Sequence, residues 1–164
     1  MPQAIRSALR VLLWLGVGLI CLCLLPFIGM VGSSGYTYIK YRSQIAEIVD
    51  STELGQRSLP QPVADMLLKR LNGNPTIYEV QLLIGRLEVD PITGHTRRAL
   101  DYYRWYFMSK LFLSQQEQLV VIAHLGHFNR AGPGLYQAAQ FEFGLPLSQM
   151  STEQIYQLLH HRHL

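Results

Sequence analysis

The clearest pattern in the chain is a run with no charged residue, from Val11 to Ile39. At 1.5 Å per residue, a helix of its length is roughly 44 Å long, enough to cross a bilayer. Arg6 and Arg10 precede the run, with Trp14 near one end and Tyr36, Tyr38 and Tyr41 near the other. Aromatic residues favour the two membrane interfaces, so this distribution suits a transmembrane helix over about residues 11–31. Pro26 is a candidate kink. A cleaved signal peptide is the competing reading. The apolar core is long for one, and no small-x-small site follows cleanly, although Gly32-Ser33-Ser34-Gly35 leaves room. Ile20 and Leu22 before the two cysteines disfavour a lipoprotein site.

Past the run the period changes to that of short amphipathic helices. Lys40 to Leu54 places Ile45, Ile48 and Val49 on one side, which predicts a juxtamembrane helix, with residues 55–58 as a linker. Pro60 and Pro62 open a helix running from Val63 to about Leu71, and Asn72-Gly73-Asn74-Pro75 is a turn. Thr76 is read as the N-cap of a helix to about Val89, with Glu79 completing a capping box. Asp90 to His95 is a loop.

Thr96 to Leu113 is apolar and aromatic nearly all the way round, which predicts a helix buried in the core or lying partly in lipid. Ser114 caps the next helix with Glu117 as its box partner, and Gly126 ends it. Gly132, Pro133 and Gly134 form a loop, Leu135 to Phe143 a helix stopped by Gly144, and Ser151 to Leu159 a last helix. The fold class this predicts is all-α, divided into an anchor (1–40), a juxtamembrane helix and linker (41–58) and a helical domain (59–164).

Composition supports a membrane-attached protein: 49% of the 164 residues are hydrophobic and only 15% charged. The net charge of +3 and a pI near 9.0 fit an anionic lipid surface or a pyrophosphate. No basic run exists, which excludes a nucleic-acid reading. Cys21 and Cys23, the only cysteines, lie inside the apolar run, so no disulfide framework is expected. His160, His161 and His163 could bind metal, but a solvated terminus is the simpler expectation.

From Ser114 onward the chain resembles the C-terminal half of the family 51 peptidoglycan glycosyltransferases. Ser114, Phe128, Gly134, Ala138, Ala139, Phe143, Gly144, Ser151 and Glu153 fall at that family's spacing without a gap. These are mostly scaffold positions, so they speak to fold more than to activity. The resemblance implies a reduced lysozyme-like helical domain on one transmembrane helix, with an inside amino terminus. It also implies the periplasmic side of a bacterial inner membrane. The Lys/Arg count alone is close to a tie on orientation.

The chemistry of that family is thin here. Polymerising a lipid-linked disaccharide needs a base for the attacking hydroxyl and cations for the departing pyrophosphate. Its Glu-Asp-x-x-Phe-x-x-His-x-Gly motif is absent, and Thr76-Ile77 is a remnant of its Gly-Gly-Ser-Thr-Ile-Thr-Gln-Gln. For Arg-Lys-x-x-Glu, one register puts Arg98 on the Arg and Tyr102 on the Glu. The other puts Arg97-Arg98 on Arg-Lys and Asp101 on the Glu. Gln115 stands where a Lys is usual, and His124 where an Asn is.

The resemblance therefore leaves Asp101 and Glu79 as candidate catalytic carboxylates, and Arg97, Arg98 and His124 as candidate pyrophosphate contacts. His124 and His127 have a metal-pair spacing, with no carboxylate or cysteine near in sequence. A divalent cation, Mg²⁺ or Mn²⁺, would be the cofactor of an active form. The expected partners are the membrane, a lipid-linked peptidoglycan precursor or glycan strand, and a cell-wall synthase. Missing carboxylates favour an impaired, binding-only relative over a divergent active enzyme.

Overall fold

The computed structural model describes residues 3–50, 59–87, 95–129 and 132–160. The chain is mostly helical. Helix α1 (Gln3–Asp50) is followed by α2 (Gln61–Arg70), α3 (Thr76–Arg86), α4 (His95–Phe112) and α5 (Gln115–Leu125). A two-stranded antiparallel ribbon, β1 (His127–Asn129) and β2 (Gly132–Pro133), leads to α6 (Leu135–Phe143) and α7 (Thr152–His160). A single 3-10 turn, Leu147–Gln149, joins the last two helices. The ribbon is a small departure from an all-α reading. It forms because the chain reverses between Gly126 and Gly134, whose N–H donates to the Gly126 carbonyl at 2.8 Å.

Helix α1 is unbroken through Pro26 and through Gly32-Ser33-Ser34-Gly35. Its 48 residues span about 72 Å. The boundary expected between anchor and juxtamembrane helix, at residues 40 and 41, thus falls inside one rod. From Leu13 to Gly29 the described side chains are solvent-exposed, and the helix from Leu13 to Asp50 is long and apolar enough to cross a membrane. Packing against the domain begins near Met30. Ser33 bonds back to the Met30 carbonyl and Thr37 to that of Ser33, within the helix, while the Ser34 hydroxyl is shared between the Met30 carbonyl and the Arg104 carbonyl of α4.

The domain is built round α5. Gln118 to Ala123 are all buried, because α1, α2, α3 and α6 pack on different sides of this short helix. Ile45, Ile48 and Val49 of α1, Leu67 of α2, Leu83 of α3, Trp105 of α4 and Leu158 of α7 close the same core. Ser114 caps α5 as its pattern predicts. Its hydroxyl accepts from the Glu117 N–H at 3.3 Å, and its own N–H donates to Glu117 Oε2 at 2.8 Å. Ser151 and Gln154 form the same reciprocal pair ahead of α7.

The box expected at Thr76 and Glu79 does not form. Pro75 is the N-cap of α3, and Thr76 is its first helical residue. The Thr76 hydroxyl instead donates to Gln118 Oε1 at 3.0 Å, and Glu79 turns into the core. Tertiary contacts with α4 and α5 have taken over both side chains.

Candidate functional site

Two polar features stand out, and the sequence candidates divide between them. The first is enclosed. Thr76 and Glu79 of α3, Ser109 of α4 and Gln118 of α5 are all buried. The Ser109 hydroxyl donates to Glu79 Oε2 in a short hydrogen bond. Gln118 Nε2 donates to the carbonyls of Ser109 and Leu113, both at 3.3 Å. Glu79 Oε1 has no hydrogen-bond partner among the described residues. Burial pushes the Glu79 carboxyl up to about 7, against the smaller opposing effect of the Ser109 hydrogen bond. Because the group is fully enclosed, it knits three helices together and does not face a substrate.

The second feature is an open cleft of about 620 Å³. Its walls are the C-terminal half of α3, the end of α5, the ribbon and the start of α6. Arg86 projects from α3, His124 from the last turn of α5 and His127 from β1. Gln81 and Gln137 add amide groups. Burial holds His124 below the usual imidazole range, and the positive charge of Arg86 lowers it further. The imidazole is therefore neutral near pH 7 and gains its proton only in more acidic solution.

Two glycines shape this cleft. Gly134 is the N-cap of α6 at φ 105, a conformation that suits glycine, and the helix starts without a side-chain cap. Its Cα also sits against the His124 carbonyl, where a Cβ would come within 3.2 Å. At Gly126 a Cβ would lie 2.6 Å from the Ile122 carbonyl oxygen and 2.9 Å from the Phe128 ring. Only glycine lets the ribbon fold back so closely on α5. The cleft thus combines a cationic arginine, two imidazoles and the positive end of a helix dipole, a set suited to an anion.

Of the expected site residues whose side chains are described, His124 alone lines the cleft. Glu79 lies in the enclosed network. Asp101 is paired with Arg104 on its own helix at 2.9 Å. Arg97 and Arg98 belong to the first turn of α4, and their side chains lie outside the described residues, as do His161 and His163. Arg86 and Gln137 were not singled out from sequence, and His127 only for its metal-pair spacing with His124. They carry no motif, and only the crossing of α3 over α5 brings them together.

Among the described residues lining the cleft there is no carboxylate. Nor do any three His, Cys, Asp or Glu side chains converge among the described residues. Mg²⁺ and Mn²⁺ favour carboxylate and other oxygen ligands, so this donor set does not fit a resident divalent cation. No protein-family model matches the chain, and neither does any curated protein or solved structure.

Proposed function

We propose that this protein is a membrane-anchored, catalytically impaired domain of the peptidoglycan-glycosyltransferase type that binds a lipid-linked cell-wall precursor. The proposed setting is the periplasmic face of a bacterial inner membrane, and the proposed fold a reduced lysozyme-like one. The observation that carries this reading is the cleft, which pairs Arg86, His124 and His127 with no carboxylate. A pyrophosphate suits such a lining, whereas an uncharged glycan strand would have no use for Arg86. Glycosyl transfer would also need a base within reach of the attacking hydroxyl. The absence of a positioned base typically costs about 10²–10⁴ in rate. Glu79 is enclosed and Asp101 is held by Arg104, so neither fills that role in the cleft.

The test is titration of the full-length protein in detergent micelles with a fluorescent lipid-linked disaccharide pyrophosphate. Saturable binding is expected, weakened about tenfold in Arg86→Ala, the loss of one charge-assisted hydrogen bond. Binding should tighten as pH falls below the usual imidazole range and His124 gains its proton, and weaken with added salt. Unchanged affinity in Arg86→Ala would remove the cleft as the site. Glycan polymer above background in the same samples would overturn the impaired assignment.

A further inference from the structure

The geometry points to a docking groove between α2 and α7: we propose that it takes an acidic peptide segment of a partner protein, with a carboxylate against Lys69 and a neighbouring large apolar side chain on Met66 and Leu159. The groove shares no lining residue with the cleft of Arg86 and His124, so it stands apart from the function proposed for that cleft.

One face of each helix builds the groove. Met66, Lys69 and Arg70 come from α2, and Tyr156, Leu159 and His160 from α7, at the three- and four-residue spacings of a helix face. Leu159 is 1% exposed and Met66 is partly buried, so together they form a recessed apolar floor. The Tyr156 ring, 54% exposed, makes a wall with His160. The two rings stack with centroids 3.8 Å apart, and His160 Nδ1 lies 3.2 Å from the Tyr156 carbonyl. A carbonyl only accepts, so Nδ1 carries a hydrogen there and Nε2 is left on the far side of the ring. The stack and the hydrogen bond hold the wall in place before a partner arrives, which lowers the cost of binding. The groove has a volume of about 430 Å³. That is toward the small end of ligand-binding clefts, roughly 300–1,000 Å³, and admits a large side chain with a carboxylate beside it rather than a whole helix.

The charge of the groove is one-sided. No carboxylate lies among the described residues that line it. Lys69 is exposed and forms no ion pair among the described residues. Asp65, one turn earlier and placed to pair with it, accepts instead from Gln61 Nε2 at 2.8 Å. Nor are the basic side chains needed to complete the end of α2. The carbonyls of Leu67, Leu68 and Lys69 already accept from the backbone N–H groups of Leu71, Gly73 and Asn72, at 3.0, 2.9 and 3.2 Å. Partial burial lowers the Arg70 guanidinium from its ordinary value, against the smaller opposing effect of Tyr78. A carboxylate close by favours the charged form.

Shape decides between occupants. A recessed floor calls for a side chain that projects into it, which a peptide supplies. A bilayer surface offers anionic headgroups but no projecting side chain. Met, Tyr and Arg are also the residue types enriched where protein partners meet.

The experiment uses the full chain with isotope-labelled methionine methyl groups in zwitterionic detergent micelles, observed by NMR. The Met66 methyl, assigned by its loss in Met66→Leu, reports on the groove, and the buried Met108 methyl of α4 reports on the fold. The probe is the end-capped peptide Gly-Ser-Glu-Phe-Glu-Ser-Gly. It is expected to shift Met66 saturably up to millimolar concentration and to leave Met108 in place. Glutamine for both glutamates of the peptide, or serine for its phenylalanine, should weaken binding several-fold. Lys69→Glu should weaken it about tenfold, the scale of one charge-assisted hydrogen bond, and Lys69→Arg should retain it. Lys69 is exposed, so both variants should leave Met108 where it stands in the unaltered chain. Equal affinity for the glutamine peptide, or in Lys69→Glu, would overturn the carboxylate assignment. An unmoved Met66 at millimolar peptide would overturn the groove as a peptide site. A Met66 shift produced by phosphatidylglycerol added to the micelles, with none from the peptide, would make the occupant a lipid headgroup and overturn the protein partner.

Discussion

Glu79 carries a charge-dependent cost that the rest of the fold absorbs. One carboxylate oxygen is bonded to Ser109, and the other is buried with no partner among the described residues. Its folded pKa of about 7 lies above the ordinary carboxylate value, so its contribution to stability is complete in acid. That contribution is lost as pH rises toward 7, and ionisation then costs on the order of 3 kcal/mol. Glu79→Gln keeps an acceptor for Ser109 and cannot ionise. We expect its thermal midpoint in micelles to match that of the unaltered chain near pH 5 and to exceed it by several degrees at pH 8. Equal midpoints at pH 8 would mean that the carboxylate is solvated. Part of this was legible in sequence and part was not. Thr76-Ile77-Tyr78-Glu79 and Ser114-Gln115-Gln116-Glu117 share one hydroxyl-x-x-Glu pattern. The second forms a capping box at an exposed helix start. The first is drawn inward, because Gln118 and Ser109 offer partners inside the core.

At the scale of elements, local signals were reliable wherever a helix end meets solvent. Ser114, Gly126 and Gly144 delimit α5 and α6 as their chemistry predicts, with Gly144 at φ 65 closing α6. The Ser114 cap can be tested directly. Ser114→Ala removes one acceptor and one half of the box, and should cost about 1 kcal/mol. That corresponds to a fall of roughly 2–4 °C in thermal midpoint for a chain of this size, measured by circular dichroism in micelles. A fall of less than half a degree would show that α5 is held by its buried neighbours alone. Elements were less legible where small residues meet another helix. Gly32-Ser33-Ser34-Gly35 leaves room in the sequence for a cleavage site, although none follows cleanly. In the folded chain it is helical, and α4 approaches it closely enough for Ser34 to reach the Arg104 carbonyl. The ribbon between β1 and β2 is too short to show a strand period, and it was read as loop.

For the whole molecule, the consequence is a single rod, one part of it apolar enough to cross a membrane and the other belonging to the core. The exposed apolar part of α1 and the part that packs in the core belong to one helix, so any tilt of the first is passed to the domain. Introducing charge at the middle of the span should therefore displace the entire protein. Leu19→Arg with Ile20→Arg costs about 2.5–3.5 kcal/mol per residue at a bilayer centre. We expect the doubly substituted chain to be released from vesicles by alkaline carbonate while the unaltered chain stays bound. Retention of the substituted chain would count against a span through these residues. The sequence by itself determined the apolar run, the helical class and most helix ends, since these depend on composition, periodicity and capping within a few residues. Only the tertiary structure decided that α1 is continuous, that Glu79 is enclosed and that Arg86, His124 and His127 share a cleft. Each of these depends on groups far apart in the chain, from Thr76 to Gln118 or from Ser34 to Arg104. Helix packing brings such pairs together, and no short window of sequence contains both partners.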